Sequence, residues 1–168
     1  FMDLEKFEKT DIVVVCGLPS AGKSHFARNF FAESGRKRVN RKEIRRLLYE
    51  MTSFGKKWSE SMFSRVDENL VKHTERKVIE HLLVNNEKIL VDNTSITAAS
   101  RKIYISIAGR FKKSIGIIFL NTPVLLCLER NKGKEDPVPG TVISNLSAAL
   151  VLPAKEEGFN QIMVVNDY

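Results

Sequence analysis

The chain has 168 residues, 43% of them hydrophobic and 28% charged, with a formal net charge of +7. Those values describe one folded α/β-sized domain spanning residues 1–168 and exclude a disordered or low-complexity chain. No apolar run approaches the roughly 18 residues of a membrane span, and the charged start Asp3–Lys9 is unlike a secretory signal, so a cytoplasmic protein is expected.

Phe1, ahead of Met2, is expected to be a cloning remnant, and the residues up to Thr10 lead into the first strand. Ile12-Val13-Val14-Val15-Cys16 is a continuous β-branched run, the pattern of a strand buried on both faces. It runs into Gly17-Leu18-Pro19-Ser20-Ala21-Gly22-Lys23-Ser24, which fits G-x-x-x-x-G-K-[ST] at every fixed position. Phe26, Ala27, Phe30 and Phe31 then recur at the spacing of one helical face, predicting a helix from His25 to about Ser34 that stops at Gly35. Strand, glycine loop and helix is the order a phosphate-binding loop requires. Gly17 and Gly22 let the backbone turn its N–H groups onto an anion, and the helix adds its positive end. Lys23 would reach the β- and γ-phosphates and Ser24 would give its hydroxyl to Mg²⁺. A nucleoside triphosphate with Mg²⁺ is the expected ligand of Gly17 to Ser24 and of the adjoining His25.

The charge is concentrated next. Between Arg36 and Lys57 nine basic residues (Arg36, Lys37, Arg38, Arg41, Lys42, Arg45, Arg46, Lys56, Lys57) face only Glu43 and Glu50, a local excess equal to that of the whole chain. Such a stretch suits a polyanion such as nucleic acid, and equally a solvated helix face. Within it Arg38-Val39 reads as a short strand. Asn40 and Glu43 read as a capping box, and Ile44, Leu47, Leu48 and Met51 as a buried stripe. Thr52–Trp58 breaks the pattern. One long helix is then expected to pack Met62, Phe63, Val66, Leu70, Val71, Val78, Ile79, Leu82 and Leu83, with His73 and His81 on its surface and no metal cluster.

Ile89-Leu90-Val91-Asp92 predicts a buried strand whose carboxylate emerges at the ligand edge of a doubly wound sheet, near Mg²⁺ or the acceptor; the alternative is a turn-starting role in Asp92–Ser95. Thr97 caps a helix carrying Ile103, Tyr104, Ile107, Ala108 and Phe111. Ile115–Leu120 is a fourth strand, and Pro123 opens a helix to Arg130. The polar segment Asn131–Pro139 is a candidate lid, Thr141–Val151 a helix and Gln161–Val165 the last strand. Cys16 and Cys127 read as packing residues in a reducing compartment. The alternation predicts a three-layer α/β fold around a mostly parallel five-stranded sheet.

Four groups of residues, Gly17–Ser24, Val39-Asn40-Arg41 with Ile44-Arg45, Val91-Asp92-Asn93-Thr94, and Glu129-Arg130-Asn131 before the lid, come in the order of the polynucleotide 5′-kinases. The chain resembles the kinase domain of phage and bacterial end-repair enzymes over residues 11 to 166. The resemblance implies ATP and Mg²⁺ at Lys23 and Ser24, with Asp92 also at the metal and beside the acceptor. It places Arg45 on the acceptor phosphate or 5′ end, and Arg130 with Lys134 over the phosphates; Lys134 stands in for a more usual arginine. Lys42 occupies the position of the family's general-base aspartate. The expected activity is therefore transfer of the ATP γ-phosphate to a 5′-hydroxyl nucleic-acid end bound through residues 36–57. The alternatives are a small-acceptor kinase or slow NTPase, and an ATP-dependent nucleic-acid binding module.

Overall fold

The computed structural model describes residues 2–65, 67–166 and 168; Phe1 and Val66, both assigned above, lie outside them. Five strands, β1 (Ile12–Gly17), β2 (Lys37–Val39), β3 (Ile89–Asp92), β4 (Ile115–Asn121) and β5 (Gln161–Asn166), form a single parallel sheet in the order β2-β3-β1-β4-β5. β1 is buried along its whole length, because both faces of the sheet are covered. Val13 and Val15 project into a core with Phe26, Phe31, Cys127 and Ile143, beneath α1 (Lys23–Phe31), α5 (Val124–Lys132) and α6 (Gly140–Ala149). Ile12, Val14 and Cys16 project the other way, against Ile79, Leu83, Tyr104 and Ile107 of α3 (Glu68–Val84) and α4 (Ala98–Phe111). Burial pushes the Cys16 thiol up to about 12, and neither cysteine is bridged, in keeping with packing roles.

The strand order places β1 between β3 and β4, so the chain crosses over β1 between the two halves of the sheet. The C-terminal ends of β1 and β3 therefore lie side by side, carrying the glycine loop and Asp92. Val15 stands opposite Asp92 in this register.

Several local expectations are corrected. α2 (Arg41–Thr52) buries none of its residues: Leu47 is 65% and Met51 63% exposed. It lies outside the two layers that cover the sheet, leaning on α3, so of its apolar stripe only Ile44 reaches the core, half-buried. The capping box is half formed. Asn40 accepts from the Glu43 amide, while the Glu43 carboxylate turns to Arg38. The single long helix is a 3₁₀ turn, Glu60–Arg65, followed by α3, which Asp67 caps. Its buried face is Val71, Glu75, Ile79 and Leu83; Phe63, Leu70 and Val78 are exposed. α1 starts at Lys23 and ends at Phe31, ahead of Gly35. α4 is closed by Thr97 and Ser100 in reciprocal hydrogen bonds. It carries a wholly buried Arg101, whose guanidinium is held by Glu157 at 2.6 and 2.8 Å and by two carbonyls. No helix among the described residues is long and apolar enough to cross a membrane.

Candidate nucleotide and acceptor site

β1 ends at Gly17, with φ +152°, where a Cβ would lie 2.7 Å from the Leu120 carbonyl oxygen; no larger residue fits. Gly22, at φ +101°, starts α1. Between them Ser20 also has positive φ, at 65°, and the loop closes on the Ala21 amide donating to Leu18 O at 3.0 Å. The Lys23 ammonium bends back over this loop and donates to Gly17 O at 3.0 Å and Leu18 O at 2.8 Å. Burial lowers its pKa to about 8, against the opposing pull of the Asp92 carboxylate. A phosphate between loop and ammonium would restore the missing counter-charge.

Asp92, 0% exposed, is the electrostatic centre of the site. Its Oδ2 accepts from Ser24 Oγ at 2.8 Å and from Arg38 Nε and Nη2 at 3.0 and 2.7 Å. Its Oδ1 is buried and has no hydrogen-bond partner among the described residues. A hydroxyl and a carboxylate with one unused oxygen suit Mg²⁺, a hard cation that takes oxygen ligands. Arg38 meanwhile supplies positive charge on the same carboxylate.

Two asparagines tie the start of α2 to the end of β3. Asn40 Nδ2 donates to Asp92 O at 2.8 Å, and Asn93 Oδ1 accepts from the Arg41 amide at 2.8 Å. Asn93 Nδ2 donates to Glu75 Oε1 and to the Tyr104 hydroxyl, at 2.6 and 2.7 Å. That hydroxyl donates in turn to Glu75 Oε1 at 2.6 Å, and Arg41 Nε donates to Oε2 at 2.7 Å. Buried Glu75 is thus fully satisfied, and burial beside it raises the Tyr104 phenol well above its ordinary pKa.

Loop 133–139 reaches across the site. Asp136 accepts from the Glu60 amide at 3.0 and 3.2 Å and from Ser59 Oγ at 3.0 Å. Asn131 exchanges hydrogen bonds with Val138 at 2.7 and 3.1 Å, and Ser20 Oγ lies 3.5 Å from its Oδ1. Burial lowers the Lys134 pKa, and the charge of Lys42 adds to the effect.

Residues 12–153 match the family described as AAA domain. The chain belongs to that family. Over 135 residues, 80% of the chain, this AAA-domain protein is 27% identical to L-seryl-tRNA(Sec) kinase of Methanococcus maripaludis, covering 50% of that protein. It is 25% identical over 166 residues, 94% of the chain, to the bifunctional polynucleotide phosphatase/kinase of Schizosaccharomyces pombe, covering 34% of it. The chain therefore spans half and about a third of these relatives. The crystal structure of Chaetomium thermophilum Kti12 in complex with ADP-AlF3 superposes with a TM-score of 0.68 at 16% identity, over 93% of this chain and 89% of that one. The fold is that of the P-loop kinases.

Of the residues singled out in the sequence, Lys23, Ser24 and Asp92 are brought together in the AAA-domain protein. Lys134 lies close enough to influence both Lys23 and Lys42. Arg130 donates to Ala21 O at 3.4 Å and Tyr168 O at 2.9 Å, on the wall of a cavity of about 580 Å³ that His25, Asn29, Phe30 and Tyr168 complete beside Gly22. Arg45 is turned aside, ion-paired to Glu68 and stacked 4.7 Å from the Phe63 ring. Lys42 pairs with buried Glu60, Nζ to Oε1, at 2.7 Å. The basic stretch as a whole is largely engaged. Arg38, Arg41, Lys42, Arg45 and Lys57 pair with carboxylates, and Arg36 binds backbone carbonyls at the opposite edge of the sheet. Arg38 and Asn93 were named only within the basic stretch and a motif, without a role at the site; Glu60, Glu75 and Tyr168 were not singled out. Glu75 alone left a signal, a charge at helical spacing between Val71 and Ile79. Among the described residues no group of His, Cys, Asp and Glu forms a metal cluster.

Proposed function

We propose that this chain transfers the γ-phosphoryl group of ATP to the 5′-hydroxyl end of a nucleic acid. The observation that carries the reading is the hydrogen-bonded junction at Asp92: Ser24 of the phosphate loop on one side, Asn40 and the start of α2 on the other. It sets a phosphate cradle beside an acceptor edge. The names of both curated relatives, a tRNA-linked kinase and a polynucleotide phosphatase/kinase, support a nucleic-acid acceptor.

In this reading the loop amides and Lys23 hold the β- and γ-phosphates, Ser24 and Asp92 hold Mg²⁺, and Arg130 and Lys134 lie over the phosphates. Bound Mg²⁺ would neutralise charge developing on the transferring group. The Gly22–Tyr168 cavity takes the base. The acceptor oxygen bonds to the γ-phosphorus, the bond to the β–γ bridging oxygen breaks, and the hydroxyl proton passes to Glu60. Lys42, at the position where the resemblance has an aspartate, pairs with that carboxylate. The paired positions of Arg41 and Arg45 favour, as a second reading, a smaller acceptor. The unbridged, buried cysteines suit the cytoplasm.

Transfer from γ-labelled ATP should be compared between a 5′-hydroxyl oligonucleotide, a nucleoside and a sugar. Label in the oligonucleotide, reduced about 10²-fold by Glu60→Gln, is expected. Label in the sugar alone would establish the second reading. Wild-type transfer unchanged in Glu60→Gln would remove Glu60 as the base.

A further inference from the structure

The pairing of the 36–57 stretch raises the question of where a polyanionic strand would find accessible positive charge near the acceptor edge. A groove of about 540 Å³ between α3 and α4 answers it. On α3, Asn69, Lys72, His73 and Arg76 fall at i, i+3, i+4 and i+7 and form one continuous ridge. Lys72, His73 and Arg76 are all exposed. Among the described residues Lys72 has no ion pair; Arg76 lies 4.0 Å from Glu80 and 3.3 Å from His73 Nδ1. On α4 the facing wall is Ile103 and Ile107, with Ser100 at the upper end, and Ile79 lies at the base. A cationic ridge facing the exposed Ile103 suits a chain that alternates phosphates with sugars and bases. The volume falls in the range of small-ligand sites, about 300–1,000 Å³.

The groove also has a direction. Both helices begin at the C-terminal edge of the sheet, so the Asn69 and Ser100 end opens there. Its inner wall is the Arg41–Glu75–Tyr104 cluster, which Asn93 joins to Asp92 as the next residue in the chain. At the lower end Glu80 already engages Arg76, Lys77 and Arg110. Lys72, with no ion pair among the described residues, leaves its charge accessible toward the end beside the acceptor edge.

We propose that the α3–α4 groove binds the acceptor strand downstream of its 5′ end, phosphates on Lys72 and Arg76 and a sugar or base against the exposed Ile103. The inference rests on the nucleic-acid reading above and extends it to a surface outside the phosphate loop. The Tyr104 ring is buried and the exposed cations Lys72 and Arg76 meet phosphates; recognition is therefore mainly of the backbone.

The test is steady-state phosphorylation of a 5′-hydroxyl decanucleotide and of a single nucleoside at several salt concentrations. The wild type, the double variant Lys72→Gln/Arg76→Gln and the charge-matched control Lys112→Gln/Lys113→Gln, at the far end of α4, are compared. For the decanucleotide the groove variant should raise KM about tenfold or more at low salt with kcat unchanged. Its log KM against log salt slope should be smaller by about 1.4, two single-strand phosphate contacts at roughly 0.7 each. The nucleoside KM and all values for the control should stay at wild-type levels. Wild-type turnover of the decanucleotide with identical KM and slope in the groove variant would overturn the groove alone. Wild-type protein that neither phosphorylates nor binds the oligonucleotide would overturn the nucleic-acid reading and the groove with it.

Discussion

Replacing Arg38 tests the electrostatics at Asp92 most sharply. The Asp92 carboxylate is wholly buried and receives two charge-assisted hydrogen bonds from a guanidinium that is 34% exposed. Arg38→Met removes the cation and leaves a buried anion with one hydroxyl donor, Ser24. Breaking a fully buried pair costs about 3–5 kcal/mol; the partial exposure of Arg38 reduces the expected loss to about 2–3 kcal/mol. Asp92→Asn removes the charge but leaves Arg38 its contact with Glu43, so the expected loss is about 1–2 kcal/mol. Once either partner is gone the other contributes little, and the double variant should be less destabilised than the sum of the two by about 1.5–2 kcal/mol. Urea unfolding at neutral pH with constant m-value gives all four corners of the cycle. Additivity within about 0.5 kcal/mol would show that the pair is not coupled and would refute the reasoning.

Lys23, lowered to about 8 by burial, should regain its proton when a triphosphate binds. ATP affinity, followed by calorimetry in buffers of different ionisation enthalpy, is expected to be flat below about pH 7 and to weaken above pH 8 with proton uptake; constant affinity from pH 7 to 9.5 contradicts this. The Arg101 hydrogen bonds hold the Glu157 carboxyl below its ordinary pKa, so this pair stabilises the fold above the usual carboxylate range and is lost as the pH falls through the depressed value. Glu157→Gln should cost about 3 kcal/mol at pH 7 and flatten the acid limb of the stability curve. Asp136→Ala should undock loop 133–139 from Ser59 and Glu60, seen as faster proteolysis within that loop with little change in global unfolding. The Cys16 thiol, pushed up to about 12 and buried, should resist alkylation at pH 8 until the protein is unfolded.

The phosphate loop, Asp92 and the five-stranded sheet were legible because each rests on local pattern: a fixed spacing, or a β-branched run flanked by helices. The fate of α2 was not. Ile44, Leu47, Leu48 and Met51 have the periodicity of a buried face, but periodicity does not say whether an element will have a layer to cover it, and α2 lies outside both. The pairing of the charges in residues 36–57 was not legible for a similar reason. Their partners Glu60, Glu68, Glu75 and Asp92 lie 18 to 54 residues away along the chain, and only the tertiary fold brings them within reach. Tyr168 gave no signal at all, since its relation to Gly22 is a consequence of β5 running parallel beside β4.

The most direct measurement follows γ-labelled ATP·Mg²⁺ in one tube with a 5′-hydroxyl oligonucleotide, scoring labelled oligonucleotide and free phosphate together, with Lys23→Ala as the control. The expected result is label at the oligonucleotide 5′ end, lost in Lys23→Ala. Free phosphate without labelled oligonucleotide, or transfer undiminished in Lys23→Ala, would contradict a phosphotransferase built on this loop and aimed at a nucleic-acid end.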